Sequence, residues 1–376
     1  MPTRQDWKAL AKETYHALDQ REVKDLYEVE WRKAVRVFLS EHRDEIEGEK
    51  VRWKRGLRRA NAVLFGITRK LTPGRRLLLV FAILFTLLGI VSFGSVASGG
   101  KQDFLYVVLA VLLLFVLVAL ELVDKLHFRD ELLLARDLQA DLVPQTLPET
   151  PAFELAGFNR VANTVGGDLY DFVPLPDGRL AVLFGDASGH GMSAGLIMAV
   201  TQAGFRTQIS VDPSPPAVAA AINALLCRTG ACRTSGPRNF FAGVVMLLAP
   251  DGSWSAVVAG HPPVVKLGPD GRVVETIGVG AYPLGVRATA HWPLLSGGLA
   301  PGGTLLFHSD GVVEVRNAAG EEFGDARLAA ILSRRAGASA NELVGSIAAT
   351  LLEFLGRNPP DDDVSIAAIR RRMPAS

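Results

Sequence analysis

Two uncharged stretches dominate the pattern of apolar and polar positions along the chain. Leu77 to Ala97 is a 21-residue run without a charge, and Phe104 to Leu120 is a second, shorter one. As a helix the first spans about 30 Å, the thickness of a bilayer's hydrocarbon core. The six residues from Ser98 to Asp103 form a polar turn between them. The pattern therefore predicts a transmembrane hairpin over 77–120, with spans at 77–97 and 104–120 and both outer ends on one side. A buried helical hairpin in a soluble core is the alternative, but adjacent runs this pure are rare there. Arg69, Lys70, Arg75 and Arg76 precede the hairpin and Lys125 and Arg129 follow it, whereas the turn offers only Lys101. Positive-inside bias then places both termini in the cytoplasm of a multi-pass inner-membrane protein.

The flanks are patterned too. Trp53, Leu57, Ala60, Leu64, Ile67 and Leu71 fall at steps of four and three, one face of a helix whose other sides carry arginines. This predicts an interfacial helix on an anionic leaflet, or one packed on its own domain. Residues 1–49 are helix-favouring and mixed in charge, which is not expected of a secretory signal. Segment 1–76 thus reads as a basic, helical cytoplasmic piece. Beyond the hairpin, 121–148 predicts a linker helix ended by Pro144 and Pro148, with a seam of Phe128, Leu132, Ala135, Leu138 and Leu142. Such a seam would serve a homodimer or pack on the next domain.

From about Pro151 the pattern becomes short apolar runs separated by Gly, Pro and Asp. Strands are predicted at 180–184, 241–248, 255–259, 264–267, 304–308 and 364–369, and helices at 192–209, 214–228, 325–336 and 339–355. Strands grouped before and after helices, without strict alternation, indicate an α+β fold.

Charge changes this picture in one respect. Lys+Arg total 40 and Asp+Glu 39, a formal net charge of +1, which excludes a uniformly basic nucleic-acid binder. Residues 1–76 hold 19 basic and 12 acidic residues, or +7, so residues 77–376 hold −6. Much of that acidity is clustered. Asp168 and Asp171 follow Gly166-Gly167; Asp186 follows the apolar run 180–184; Asp310 follows Leu305-Leu306-Phe307; Asp361-Asp362-Asp363 precede Val364. Each cluster alone is an ordinary turn. Four together predict convergent carboxylates, which need cations; oxygen-rich, cysteine-free sets select hard ions such as Mg²⁺ or Mn²⁺. Cys227 and Cys232 cannot form a disulfide framework or a complete zinc site, and are expected to pack or face solvent as thiols.

The runs Val165-Gly166-Gly167-Asp168-Leu169-Tyr170-Asp171-Phe172 and Gly185-Asp186-Ala187-Ser188-Gly189-His190-Gly191 resemble the PPM-type metal-dependent serine/threonine protein phosphatases, in their bacterial SpoIIE/RsbU-like branch. Phe241-Ala242-Gly243, Ala259-Gly260-His261-Pro262-Pro263, Pro283-Leu284-Gly285, Ser309-Asp310-Gly311 and Asp362-Asp363-Val364-Ser365 extend the likeness in the family's order, and residues 134–148 resemble its lead-in helix. The resemblance covers roughly residues 130–372 and not 1–120. It implies a four-layer α/β/β/α sandwich over 149–372 that holds two Mn²⁺ or Mg²⁺ ions. By position, Asp186 bridges the ions and Ala187 offers its carbonyl. Asp310 and Asp362 complete the second ion, Asp168 acts directly or through water, and Asp363 is the alternative register. Catalysis is then carried by Asp186 and Asp310 through the metals, with water attacking phosphorus and no covalent intermediate. The implied partner is a phosphorylated anti-sigma-factor antagonist.

Ser188 stands where eukaryotic members carry a histidine, and the role does not transfer to His190. No phosphate-binding arginine is identifiable; Arg160 is merely close in sequence, and His261 reads as a turn residue. Two other readings compete. A cyclic-dinucleotide cyclase would continue Gly-Gly-Asp with Glu-Phe, which Leu169 and Tyr170 do not match. A degenerate, inactive phosphatase used as a membrane-tethered interaction module would leave gaps among the acidic positions, and none is present.

Overall fold

The computed structural model describes residue 68 and residues 71–93, 101–140, 142–144, 146–162, 165–189, 191–229, 239–278, 280–335, 337–356 and 359–373. Segment 1–49, nearly all of the basic helix read over 53–71, half of the hairpin turn (98–100), His190 and Cys232 lie outside the described residues. The chain divides into two units, Met1–Leu126 and His127–Ser376.

In the first unit, α1 (Pro73–Phe93) and the start of α2 (Lys101–Ala140) are the two apolar helices. Pro73–Val91 has a mean hydropathy of 2.1 and Phe104–Asp130 of 3.0, so both are long and apolar enough to cross a membrane. Between them they bury one narrow stripe. Ala82 and Gly89 of α1 and Ala110 and Leu117 of α2 are buried, each pair seven residues apart. Phe85 stacks on Tyr106 with centroids 6.2 Å apart. At the outer end, Arg75 bonds Glu121 at 3.0 Å and Asp124 at 2.6 Å. The other faces expose Leu, Val and Phe, as a helix pair in apolar solvent does. α2 carries the second apolar run and continues to Ala140 as one 40-residue helix.

The second unit is a four-layer sandwich. One sheet has the order β1 (Phe153–Arg160), β10 (Val364–Arg371), β9 (Thr304–His308), β6 (Val264–Leu267), β7 (Val273–Ile277). The other runs β2 (Asp168–Pro174), β3 (Leu180–Ala187), β4 (Phe241–Leu248), β5 (Ser253–Ala259), β8 (Leu295–Gly298). Three apolar cores explain the layers. Phe184, Met246, Trp254, Phe307 and Ile369 fill the space between the sheets. Leu183, Val245 and Val257, on the other face of the second sheet, pack on Met198, Phe205 and Ile222 of α3 (Met192–Ile209) and α4 (Pro215–Arg228). Leu306, Ile366 and Ala368 of the first sheet pack on α6 (Gly324–Arg334) and α7 (Ala340–Leu355). A strand buried on both faces reads as a continuous apolar run, which is why 180–184, 241–248 and 364–369 were legible.

The four predicted helices appear as α3, α4, α6 and α7. Strands β1, β2, β7 and β8 and the single turn α5 (Asp310–Glu314) have no counterpart in the sequence reading. Gly157 lies within β1; a Cβ there would stand 2.7 Å from the Tyr170 hydroxyl, so close packing requires a residue that weakens the strand signal.

Candidate active site

The carboxylates are delivered by strand ends. Asp168 opens β2 and Asp186 nearly closes β3, and the antiparallel register sets them directly opposite each other. Asp310 follows β9 and begins α5, while Asp362 and Asp363 precede β10 in the facing sheet. The glycines in these motifs are demanded by close approach. A Cβ on Gly167 would lie 2.6 Å from Asp186 Oδ1 and 2.7 Å from the Ala187 carbonyl oxygen. One on Gly166 would overlap the Asp363 carboxylate, and one on Gly311 the Asp363 carbonyl. Gly-Gly-Asp and Asp-Gly are thus packing requirements of converging loops.

The two acidic neighbours at the end of the chain differ. Asp363 is buried; its Oδ1 accepts the N–H of Ala162 at 2.7 Å and its Oδ2 that of Gly167 at 2.5 Å. Asp362 is exposed and accepts the Asp363 N–H at 2.8 Å. Asp310 is also exposed and accepts from Gly311 N–H at 2.9 Å. Asp168 is buried, and its Oδ2 has no hydrogen-bond partner.

Electrostatics report the convergence. Burial, then the charges of Asp168, Asp310, Asp362 and Asp363, push the Asp186 carboxyl up to about 9. Burial and the Asp363 charge push Asp168 up to about 8, against the opposing influence of the Ser365 and Ser309 hydroxyls. Those hydroxyls lie beside the carboxylate, yet neither Asp168 Oδ2 nor Ser365 Oγ completes a hydrogen bond. Five carboxylates this close cannot all ionise without positive charge among them. Their all-oxygen donors, the orphaned Asp168 Oδ2 and the Ala187 carbonyl fit a hard divalent cation. Among the described residues no group of three His, Cys, Asp or Glu could hold an ion unaided. Mg²⁺ typically takes one or two carboxylates and keeps several waters, so this arrangement still suits it.

Other expected residues fall elsewhere. Ser188 Oγ accepts the Phe240 N–H at 2.8 Å, a loop fastening. In β1, Phe153 and Leu155 point between the sheets, whereas Ala156 and Phe158 meet the outer helices. Arg160 shares the parity of Phe158 and so lies on the outer side of the sheet, away from Asp168. Cys227 is disulfide-bonded, not the thiol expected. His261 is buried edge-on to Phe184 at 5.2 Å, with Nδ1 2.8 Å from the Pro262 carbonyl. One cluster escaped the sequence reading: buried Asp171 accepts from Arg206 Nε at 2.7 Å and Nη2 at 3.1 Å, and from Gln202 at 3.2 Å. Gln202 also donates to the Leu142 carbonyl at 2.5 Å, tying α3 to the segment after α2. The i, i+4 spacing of Gln202 and Arg206 was the available signal, with nothing to name their partner.

Residues 176–372, just over half of the chain, match the family model described as Stage II sporulation protein E. The chain belongs to the SpoIIE family. Among SpoIIE-like structures, the second unit resembles the PP2C domain of SiaA from Pseudomonas aeruginosa, with a TM-score of 0.56 and 21% identity over 66% of this chain and 98% of that one. It also resembles the RsbU and RsbW domains of Rv1364c from Mycobacterium tuberculosis, with a TM-score of 0.51 and 27% identity over 61% of this chain and 64% of that one. Protein IcfG from Synechocystis sp. is 25% identical over 281 residues, 68% of this chain; the match spans 43% of that relative's length. The chain therefore carries a SpoIIE-type, PP2C-like phosphatase domain.

Proposed function

We propose that this SpoIIE-family chain is a membrane-anchored, metal-dependent protein serine/threonine phosphatase. The observation that carries the reading is the opposition of Asp168 and Asp186 across β2 and β3, both held above the ordinary carboxylate range by burial and by the neighbouring Asp310 and Asp363 charges. Two Mn²⁺ or Mg²⁺ ions, when bound, would supply the Lewis acidity that activates water and neutralises phosphoryl oxygens. Asp186, the Ala187 carbonyl, Asp310, Asp362 and Asp168 would be the protein donors that hold them. Asp363 is assigned to holding Ala162 and Gly167, because both of its oxygens serve their backbone N–H groups. This chain's own part in the reaction is to hold the phosphoryl group beside Asp186 and Asp310 and keep the carboxylates ionised around the ions.

The two apolar helices form a membrane hairpin, with both termini and the phosphatase domain in the cytoplasm. The charge asymmetry around 77–120 supports this orientation. The seam read through Phe128, Leu132, Ala135, Leu138 and Leu142, in which Phe128 is exposed, supports a homodimer through this helix. The substrate is a phosphorylated regulatory protein of the anti-sigma-factor antagonist kind, a reading that rests on family membership and on neighbours bearing RsbU and RsbW domains. Full-length protein in detergent should release phosphate from a phosphoserine protein with Mn²⁺ or Mg²⁺ and not with chelator, and Asp186→Asn should abolish turnover. Intact binding with no turnover under any metal would instead identify an inactive interaction module. A reporter fused after Ser376 and found outside the cytoplasm would overturn the orientation.

A further inference from the structure

Between β7 and β8 lies a loop that the proposed chemistry does not use. Its Leu284 forms an isolated bridge with Phe241, exchanging two 2.9 Å backbone hydrogen bonds. Phe241 is in turn the register partner of Ala187. Ala187, Phe241 and Leu284 thus stand in one row, and two strand spacings put Leu284 about 10 Å from the metal-site loop. The loop is fixed there. Buried Asn223 of α4 donates to the Arg287 carbonyl at 3.0 Å and accepts the Gly285 N–H at 2.7 Å. Trp292 Nε1 donates to the Tyr282 carbonyl at 2.6 Å.

On this fixed backbone sit side chains of interface type. The Arg287 guanidinium lies 4.2 Å from the centre of the Tyr282 ring, and both residues are exposed, Tyr282 at 50%. Leu294, at the end of the same loop, is exposed at 55%. Tyr, Arg and Trp are the residues that most often dominate protein–protein binding energy. Charge specifies the partner. From Thr276 to Ser309 the sequence has no Asp or Glu; its charged residue is Arg287, with His291 and His308 as the titratable neighbours. A guanidinium stacked on an aromatic ring keeps its in-plane N–H fork free for a carboxylate.

We infer that the Tyr282–Arg287 pair docks an acidic stretch of the phosphoprotein substrate, next to but separate from the phosphoserine that enters the carboxylate site. The inference rests on the phosphatase reading above. A typical protein interface covers about 800 Å² on each partner, a disc of radius about 16 Å, so a protein seated on the Asp186 site reaches this loop. The phosphoryl group itself belongs to the carboxylate cluster, and Arg287, three residues beyond Leu284, meets what flanks it.

The test uses the full-length chain with Mn²⁺ and three probes: para-nitrophenyl phosphate, a phosphoserine peptide flanked by Asp and Glu, and the same peptide flanked by Lys. Arg287→Glu should raise KM for the acidic peptide about tenfold, leave kcat and the small ester unchanged, and shift preference toward the Lys-flanked peptide; Arg287→Lys should retain most of the wild-type preference. Fluorescence anisotropy of the labelled acidic peptide, with chelator present, should show the same loss of binding. Equal losses on all three probes, or unchanged peptide KM and anisotropy, would overturn the docking role. Wild-type peptide binding that depends on Arg287 without turnover of any probe would sink the phosphatase reading and leave the docking site standing.

Discussion

Asp363 Oδ2 accepts the backbone N–H of Gly167, the residue immediately before Asp168, at 2.5 Å. With Oδ1 on Ala162 N–H, one side chain from the edge of β10 fastens the loop that delivers a carboxylate from the opposite sheet. Adjacent Asp362 is left facing solvent, so neighbouring residues of identical chemistry have different tasks.

The first prediction separates them. Asp363→Ala leaves two backbone donors without their acceptor and should cost about 2–4 kcal/mol in urea unfolding of the metal-free protein. Asp362→Asn should change that stability by less than about 0.5 kcal/mol and weaken Mn²⁺ binding by calorimetry. The reverse ranking would exchange the two roles.

A second concerns pH and metal together. Asp168 and Asp186 have folded pKa values raised to about 8 and about 9, above the ordinary 3.8. The metal-free folded state therefore binds more protons than the unfolded chain, and its stability falls as pH rises from about 4 toward 9. Divalent cations should reverse this trend, so the Tm gain from Mn²⁺ should be larger at pH 8 than at pH 5.5. A gain independent of pH would contradict the placement of these carboxylates at the ions.

His261 gives the opposite sign. Burial lowers its pKa to about 4, aided by His308 and opposed by the Pro262 carbonyl. Its contribution is complete above 6.5, the unfolded value, and is lost as pH falls through 4, at up to about 1.4 kcal/mol per pH unit. His261→Phe should flatten the acid limb of a stability–pH curve between those values. An unchanged limb would locate the acid sensitivity elsewhere.

Arg206 offers a test outside the metal site. It is the ion-pair partner of Asp171, whose side chain is 1% exposed against 57% for the arginine. Arg206→Met leaves that carboxylate with Gln202 alone and should cost about 2 kcal/mol. Asp171→Asn in the same background should recover part of the loss, measured as a double-mutant cycle; full additivity would show that the pair does not interact.

Legibility in the sequence followed burial on both faces. Leu180 to Phe184 and Phe241 to Leu248 are apolar throughout because cores lie above and below them, and they stand out as strands. β2 carried no strand signal because Asp168 and Asp171 occupy buried positions in it, one opposite Asp186 and one paired with Arg206. β7 and β8 are short and mostly exposed, so they carry no apolar pattern. The aspartates were legible as types beside glycine, but not their division of labour.

The sequence by itself determined two apolar helices, an α+β domain and the aspartates beside glycine to which the proposed chemistry is assigned. Length, charge-free composition and carboxylate–glycine spacing are local properties. Tertiary structure decided which carboxylate faces which, that Asp363 fastens a loop, that Arg160 points away, and that the Tyr282–Arg287 loop bridges Phe241 through Leu284. Those outcomes depend on register between strands and on contacts between residues far apart in the chain, such as Asp363 and Gly167. Partners of that kind exist only once the two sheets have closed on each other.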